Sequence, residues 1–474
     1  MKKAGVQLDA DCAIGLKELA AALGTKAFLT DPADCDRYAS DQSGLVGTRP
    51  LAVLRPATTE EVAQALKICT RHRIAVVPQG GRTGLSGGAC SPAGAVVLST
   101  ERMTGVIELD PEGMTMTVWA GTPLETVQIA AREAGLDYPV DIGARGTATI
   151  GGTIATNAGG IRVLQHGMTR QNVLGLEAVL SDGTILSRLG KTVKDNSGLD
   201  LKHLLIGSEG TLGVVTRAVL QLRQNISDSA LALIAVPDHA AALSCLSVAR
   251  RWFGSRISAF EGMWPDYWEF VCRQSHLAKA PISGQHGFYV LIEVETDHAN
   301  REDPLEAFVA ELFENGIAED GVLAKSLAET LSLWKIREAI GEVDTDFGPH
   351  INFDIAVAPS DLGAFCNAAD ALLADLKDAA GTLKAGHVAD GNVHLLVAHD
   401  GSAEAEERIE AAVYALLGKW NGAVTAEHGV GRLKARWITH SRSREEMAVM
   451  CALKKQLDPL GILNPGALYG ELEK

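Results

Sequence analysis

Two histidines bracket an Asp-Gly pair in HVADGNVH, His387 to His394. Asp-Gly between apolar runs is a strong signal for a two-residue hairpin, because a type I′ turn needs φ > 0 at both central positions. With Asp390 and Gly391 at the tip, Ala389 faces Asn392, Val388 faces Val393 and His387 faces His394. Opposed residues of an antiparallel pair share a face, with Cβ atoms about 4.5–5.5 Å apart. Two imidazoles so placed can bind one metal ion. The segment reads equally well as a surface hairpin with a histidine on each arm, and a third ligand is needed to decide.

The elements that must position this hairpin are legible in outline. A chain of 474 residues implies two or three domains. From about 231 to 458, helices rich in Ala and Leu alternate with strands such as FYVLIEVE (288–295) and INFDIAVAP (351–359). Earlier, LAVLRP (51–56), IAVVP (74–78) and MTMTVWAG (114–121) read as strands. TTEEVAQALKICTRHR (58–73) reads as a helix, with Thr58 and Glu61 in capping-box spacing, and PLETVQIAAREAG (123–135) as another with Pro at its start. Residues 1–50 look like a helical lead-in. The polar run RQNISDSA (223–230) is expected to end the first domain, and LDPLGILNPGAL (457–468) has turn residues rather than a helix.

Composition narrows the function class. The chain is 46% hydrophobic, 22% charged and 5% aromatic, as a globular protein with a large core would be. A net charge of −16 without any long basic run argues against nucleic acid or an anionic membrane as partner. It still permits a small anionic substrate where basic residues gather. No run of eighteen apolar residues occurs, so no transmembrane helix is expected. MKKAGVQLDADCAIGL at the N-terminus lacks the sustained apolar core of a signal peptide. The eight cysteines, at 12, 35, 69, 90, 245, 272, 366 and 451, form no C-x-x-C pair and suit neither zinc nor an iron–sulfur cluster. Reduced thiols in a cytoplasm are the expectation.

Glycine clusters in three loops: QGGRTGLSGG (79–88), GARGTATIGGTIATNAGG (143–160) and GSEGTLGVV (207–215). Glycine loops after short strands let backbone N–H groups approach phosphate oxygens with no Cβ in the way. One such loop is weak evidence, but three in one domain suggest an extended ligand with a pyrophosphate. The G-x-G-x-x-G fingerprint between strand and helix is absent, so a Rossmann dinucleotide site is not supported.

PQGGRTGLSGG, GTATIGGTIATNAGG followed by RVLQHG, KDNSGLDLKHLLIGSEGTLG and the terminal NPG together resemble the FAD-linked dehydrogenases of the vanillyl-alcohol oxidase superfamily. Within it they resemble the D-2-hydroxy-acid branch, closest to the D-2-hydroxyglutarate dehydrogenases and then the D-lactate dehydrogenases. The resemblance spans nearly the whole chain. It implies an α+β fold. A PCMH-type FAD-binding domain of two subdomains would cover 1–225. A substrate domain with an antiparallel sheet covered by helices would cover 226–458, and a C-terminal segment, 459–474, would return to the FAD domain. It also implies that Gly80, Gly81, Arg82, Thr83, Gly84 and Ser86 cradle the pyrophosphate. The stretch from Gly146 through Thr149, Gly151 and Gly152, with Asn157, Ala158 and Gly159, would lie along the flavin. Glu209, Gly210 and Val214 would hold the ribityl and adenosine portion. Relatives with covalent flavin carry a histidine in the first loop. This loop has none, so non-covalent FAD is expected.

The resemblance supplies the third ligand as well. In TAEHGVG (425–431), Glu427 would join His387 and His394 around a divalent ion, and two imidazoles with a carboxylate suit Zn²⁺. His428 would be the general base, since a neutral imidazole accepts a proton near pH 7. Arg337, in LSLWKIREAIG (331–341), would grip the substrate carboxylate; taken alone, an Arg on a helix is usually surface charge. Asn392 is a candidate hydrogen-bond partner of the substrate, with a plain turn residue as the other reading. Two positions depart from the hydroxyglutarate enzymes, which carry a Thr four residues after this Arg and a Lys on the next strand. Here they are Gly341 and Asn352, which leaves room for a shorter or neutral substrate tail.

The expected activity is FAD-dependent oxidation of a D-2-hydroxy acid to the 2-oxo acid, D-2-hydroxyglutarate first and D-lactate second. The resemblance suggests an electron-transfer flavoprotein or a quinone pathway as electron acceptor, and leaves a homodimer open. A flavin oxidase using O₂, a zinc hydrolase built on the His-His-Glu set, and a non-catalytic flavin-binding module are the competing classes. Peroxide yield, the colour of the purified protein, and the otherwise unexplained ligand set discriminate them in turn.

Overall fold

The computed structural model describes residues 10–225, 228–274, 277–296, 304–343 and 347–470. The first nine residues of the expected lead-in, and 226–227 within the expected polar break, lie outside them. The chain forms two compact units. Unit 1 comprises Met1–Gly160, His166–Asn225 and Glu427–Lys474, and unit 2 comprises Ile161–Gln165 and Ile226–Ala426.

Unit 1 holds two main sheets. Strands β1 (Phe28–Leu29), β2 (Val53–Leu54), β3 (Val76–Gln79) and β4 (Val96–Ser99) align in the order β1-β2-β4-β3, with β2 and β3 parallel to β4. The helix Thr59–Arg71 carries the chain from β2 on one side of β4 to β3 on the other. The Thr58 hydroxyl accepts the N–H of Glu61. The Glu61 carboxylate takes the N–H of Ala57, one residue earlier than a capping box requires. The helix buries Val62, Leu66 and Cys69 against Leu54, Val76 and Leu98.

The second sheet is antiparallel, built from β5 (Val106–Asp110), β6 (Thr115–Trp119), β8 (Val173–Val179), β9 (Ile185–Arg188) and β10 (Val214–Gln221), in the order β5-β6-β10-β8-β9. A minor pair joins β7 (Leu136–Asp137) to β11 (Arg223–Gln224). Helices Leu124–Glu133 and Ile150–Thr156 bury Leu124, Val127, Ile150 and Ile154 against Met116, Val118 and Ala218. The chain rejoins unit 1 at Glu427, well before the 459–474 segment expected to do so. The reason lies in hydrogen bonding: the buried Glu209 carboxylate accepts the N–H groups of Val430 and Gly431, both at 2.7 Å.

Unit 2 is organised on a seven-stranded antiparallel sheet. Its strands are β12 (Ser229–Val236), β13 (Ile257–Met263), β14 (Phe288–Glu295), β15 (Asp320–Leu323), β16 (His350–Ala356), β17 (Gly381–Gly386) and β18 (Asn392–Ala398), in the order β15-β12-β14-β13-β17-β18-β16. Alternate residues share a face. One face carries Leu231, Leu233, Met263, Leu291, Leu383 and Leu396, packed with Leu333 and Ile336 of the helix Leu327–Glu338. Glu261 on β13, His394 on β18 and Asp354 on β16 fall on that same face by register. Phe353, pointing the other way, packs edge-on against Tyr414 of the helix Ala403–Gly418. Among the described residues no helix is long and apolar enough to cross a membrane.

Candidate active site

The histidine hairpin exists, but its register differs from the expected one. Ala385, not His387, stands opposite His394 in the β17–β18 ladder. The turn spans His387 to Gly391, and the His387 carbonyl accepts the N–H groups of Asp390 and Asn392, each at 3.2 Å. Only Gly391 of the Asp-Gly pair has a positive φ, +82°. A type I′ tip needs two such residues, so the chain adopts a longer loop closed by one left-handed glycine. The two rings nevertheless meet, with centroids 5.9 Å apart and planes at 76°. A ring nitrogen of each lies within 4.8 Å of the other, and both residues are buried.

A residue the sequence reading missed holds this pair in place. Glu261, 1% exposed, pairs through Oε1 with His387 Nδ1 at 2.7 Å and accepts Arg337 Nε on Oε2 at 2.8 Å. Burial alone would push its carboxyl up. The facing His387 and Arg337 charges and their hydrogen bonds outweigh burial and hold it below the usual carboxylate value. Arg337 is therefore no surface charge: it is 6% exposed, and the Tyr267 hydroxyl donates to the Ile336 and Arg337 carbonyls, fixing its helix.

Asn392 is buried and donates from Nδ2 to Asp354 Oδ1 and to the Ile355 carbonyl, both at 3.0 Å. Its Oδ1 is buried without a hydrogen-bond partner. Asp354 Oδ2 accepts the Thr425 hydroxyl at 2.9 Å and the Ala426 N–H at 3.2 Å, anchoring the segment that precedes Glu427 in the chain. Gly341 is exposed, with nothing near the place of a Cβ. Asn352 is exposed on β16, opposite Leu396.

In unit 1 the glycine loops interlock. A Cβ on Gly81 would overlap the Thr147 carbonyl and come within 2.7 Å of its carbon, and one on Gly80 would overlap the Thr149 hydroxyl. Gly84 has only Asp41 nearby, at 3.7 Å. Arg82 takes φ +56° and lies over the Tyr38 ring at 4.8 Å, and Thr83 follows it in the loop. Thr149 caps the helix Ile150–Thr156 by accepting the Gly152 N–H. Gly151 packs against Ala120, and Gly146 lies near Glu125. Asn157 ends the helix at φ +52° and accepts the Arg170 N–H. The Ala158 carbonyl receives the Thr169 hydroxyl. After Gly159, the Gly160 N–H donates to Glu427 Oε1 at 2.8 Å.

Three residues expected at the cofactor have side chains engaged within the protein. The Ser86 hydroxyl donates to the Gly429 carbonyl at 2.8 Å. The Glu209 carboxylate, pushed up by burial, holds Val430 and Gly431 as described. Val214 lies in the core on β10, although Gly210, at φ +72° against Pro78, stays in the loop. The sequence reading also missed Arg432 and the details of Asn464. Arg432 donates to the Gly87, Gly88 and Pro465 carbonyls and to Asn464 Oδ1. Asn464 Nδ2 donates to the Gly88 and Glu209 carbonyls. First loop, third loop and C-terminal NPG thus form one network. Loops in which Gly80 and Gly81 leave no room for a Cβ, backed by these hydrogen bonds, fit a pyrophosphate ligand such as that of FAD.

The sequence matches the family of FAD linked oxidases, C-terminal domain, over residues 227–468, and the FAD binding domain over 50–188. The D-2-hydroxyglutarate dehydrogenase of Xanthomonas citri pv. viticola is 39% identical over 446 residues, 93% of either chain. The mitochondrial D-2-hydroxyglutarate dehydrogenase of Arabidopsis thaliana is 38% identical over 87% of this chain and 74% of its own. The solved structure of p-cresol methylhydroxylase with substrate bound superposes with a TM-score of 0.76 over 98% of both chains, at 15% identity, which speaks for the PCMH-type fold alone. The chain belongs to the FAD-linked oxidases. It is an FAD-dependent oxidoreductase with the α+β, two-domain architecture of that family.

Proposed function

We propose that this enzyme oxidises a D-2-hydroxy acid to the 2-oxo acid, with D-2-hydroxyglutarate the first-choice substrate, and that a divalent metal ion assists. Unit 1 is assigned to FAD and unit 2 to the substrate. The observation that carries the reading is the buried His387–His394 pair with Glu261 on His387 Nδ1. Metal-binding histidines commonly carry such a carboxylate on the second ring nitrogen, which gives Nε2 the role of ligand atom.

Glu427 is the proposed third ligand. The chain delivers it directly after Ala426, which is bonded to Asp354, and Asp354 stands opposite His394 in the β16–β18 ladder. Two nitrogens and a carboxylate oxygen suit Zn²⁺ and leave positions open for substrate. A bound ion would lower the pKa of a coordinated hydroxyl.

His428, the next residue, is the proposed base for the hydroxyl proton. Arg337 would hold the carboxylate. Its Nε is committed to Glu261, and this fixes the plane of the fork that meets the substrate. Asn392 Oδ1, buried and without a partner, would accept a hydrogen bond from the substrate. FAD, bound non-covalently, supplies the hydride acceptor for C2, so one enantiomer alone is presented correctly. The electrons would then pass to an electron-transfer flavoprotein or a quinone pathway. None of the eight cysteines is joined in a disulfide, which accords with a reducing cytoplasm.

D-lactate is the second reading, favoured by the absence of a cation at Gly341 and Asn352. A panel of D- and L-lactate, D-malate and D- and L-2-hydroxyglutarate with an artificial acceptor dye tests both. Preference for L-isomers would refute the mechanism. D-lactate ahead of D-2-hydroxyglutarate by more than about tenfold, a 1.4 kcal/mol difference, would overturn the first choice of substrate.

A further inference from the structure

Glu261 is a single buried carboxylate shared between two groups with different proposed tasks. One oxygen faces His387 and the other faces Arg337. It sits on the same sheet face as Leu396 and the helix Leu327–Glu338, 1% exposed, so no bulk water can stand in for either partner. A carboxylate only accepts hydrogen bonds. It therefore imposes one tautomer on His387, with the proton on Nδ1, and one orientation on the Arg337 fork.

We infer that Glu261 is a positioning residue that sets metal affinity through His387 and substrate-carboxylate binding through Arg337 at the same time. The inference rests on the metal reading of His387 and the substrate reading of Arg337.

The geometry makes Glu261→Gln an informative variant. An amide presents one acceptor and one donor in place of two acceptors. Arg337 offers only donors and is always charged, so it takes the amide oxygen. The NH₂ group then faces His387 Nδ1, which must become an acceptor, and the ring proton moves to Nε2. A protonated Nε2 cannot ligate a metal ion. Adding Arg337→Met removes the competitor and lets the amide oxygen turn back to His387. The double variant should thus recover metal binding without recovering substrate binding.

The experiment titrates Zn²⁺ into the FAD-loaded protein after chelator treatment and dialysis, then measures KM and kcat on the substrate preferred in the panel. Glu261→Gln should weaken Zn²⁺ binding about 10–100-fold, the usual effect of losing such a partner, and raise KM, with FAD content and flavin absorption unchanged. Glu261→Gln/Arg337→Met should return Zn²⁺ affinity to within a few-fold of the parent while KM stays high. The restored charge balance in this variant also guards against a folding defect. Unchanged Zn²⁺ affinity and KM in Glu261→Gln would overturn the inference, and so would a double variant that stays metal-poor. His394→Ala separates the two levels. If it abolishes Zn²⁺ binding while Glu261→Gln does not, only the positioning role fails. If it too keeps Zn²⁺, the metal reading has failed and the inference falls with it.

Discussion

Two glycines of unit 2 share one backbone conformation but not one environment, and this isolates the packing that shapes the histidine hairpin. Gly391 and Gly401 both have φ +82°. A Cβ at Gly401 would meet nothing closer than Pro349 Cγ at 3.5 Å. At Gly391 it would overlap the Val357 carbonyl oxygen and come 3.2 Å from the Pro359 nitrogen. That carbonyl belongs to the residue whose N–H donates to the Gly391 carbonyl at 3.1 Å, so the clash displaces a hydrogen bond as well as an atom.

Gly401→Ala carries the left-handed strain, about 1–2 kcal/mol, offset by about 0.4–1 kcal/mol from a stiffer unfolded chain; the net cost is about 1 kcal/mol. Gly391→Ala carries the same net strain plus about 1–3 kcal/mol of overpacking and about 1 kcal/mol for the lost hydrogen bond, giving about 3–5 kcal/mol. At about 2–4 °C per kcal/mol for a unit of this size, Gly401→Ala should lower the melting temperature by a few degrees and Gly391→Ala by about 6–20 °C. Thermal melts of both variants beside the parent make the comparison, with metal content as a second reading that only Gly391→Ala should reduce. If the two melt within a degree or two of each other, the close approach at Val357 does not constrain the hairpin and the reasoning fails.

Acid precipitation should release intact FAD into the supernatant, because the loop from Gly80 to Gly88 carries no histidine; a yellow pellet would show a covalent link. His387→Ala and His394→Ala should each remove most bound metal and nearly all activity while keeping FAD. Their effects should be non-additive, as for two residues of one chelate; full activity in either after chelator treatment would show the ligands to be misassigned. Glu177 gives a pH signature. Burial pushes its carboxyl up, but bonds from Arg217, Thr59, Thr216 and Ser187 win and bring it down to about 2. A depressed carboxyl stabilises the fold fully above its unfolded value of about 4.3 and loses that contribution as pH falls through about 2. The stability gap between the parent and Glu177→Gln, measured by urea unfolding, should therefore be widest near neutral pH and shrink steadily below pH ~4.

The histidine pair was legible because two imidazoles around a glycine turn are a chemical pattern confined to eight residues. The register was not, because the length of the turn is decided by Val357, a neighbour 34 residues away in sequence. The glycine loops announced a phosphate cradle for the same local reason. What braces them was hidden: Glu209 reads as a loop residue, yet its partners lie 221 and 222 residues further on. Glu261 left a faint signal as the single acid in the apolar strand ISAFEGM, and Asp354 did likewise in INFDIAV. A lone carboxylate in a buried strand must find partners, but nothing local names them as residues 126 and 76 positions away. Arg337 looked like surface charge for the same reason.

The discontinuity of unit 1 has a consequence for the order of events on the ribosome. Its N-terminal portion is complete at Asn225, but the unit resumes only at Glu427. Roughly 200 residues must be translated in between, which takes about 10–40 s at ~5–20 residues per second. Until then β3 lacks Leu463 at its side, Gly87 and Gly88 lack Arg432, and Glu209 has no N–H groups to accept. The nascent unit therefore waits with an unbraced cradle and a buried acid lacking its partners, while all of unit 2 is made. Completion of the cradle in this chain therefore waits for the residues from Glu427 onward, which lie outside the glycine loops themselves.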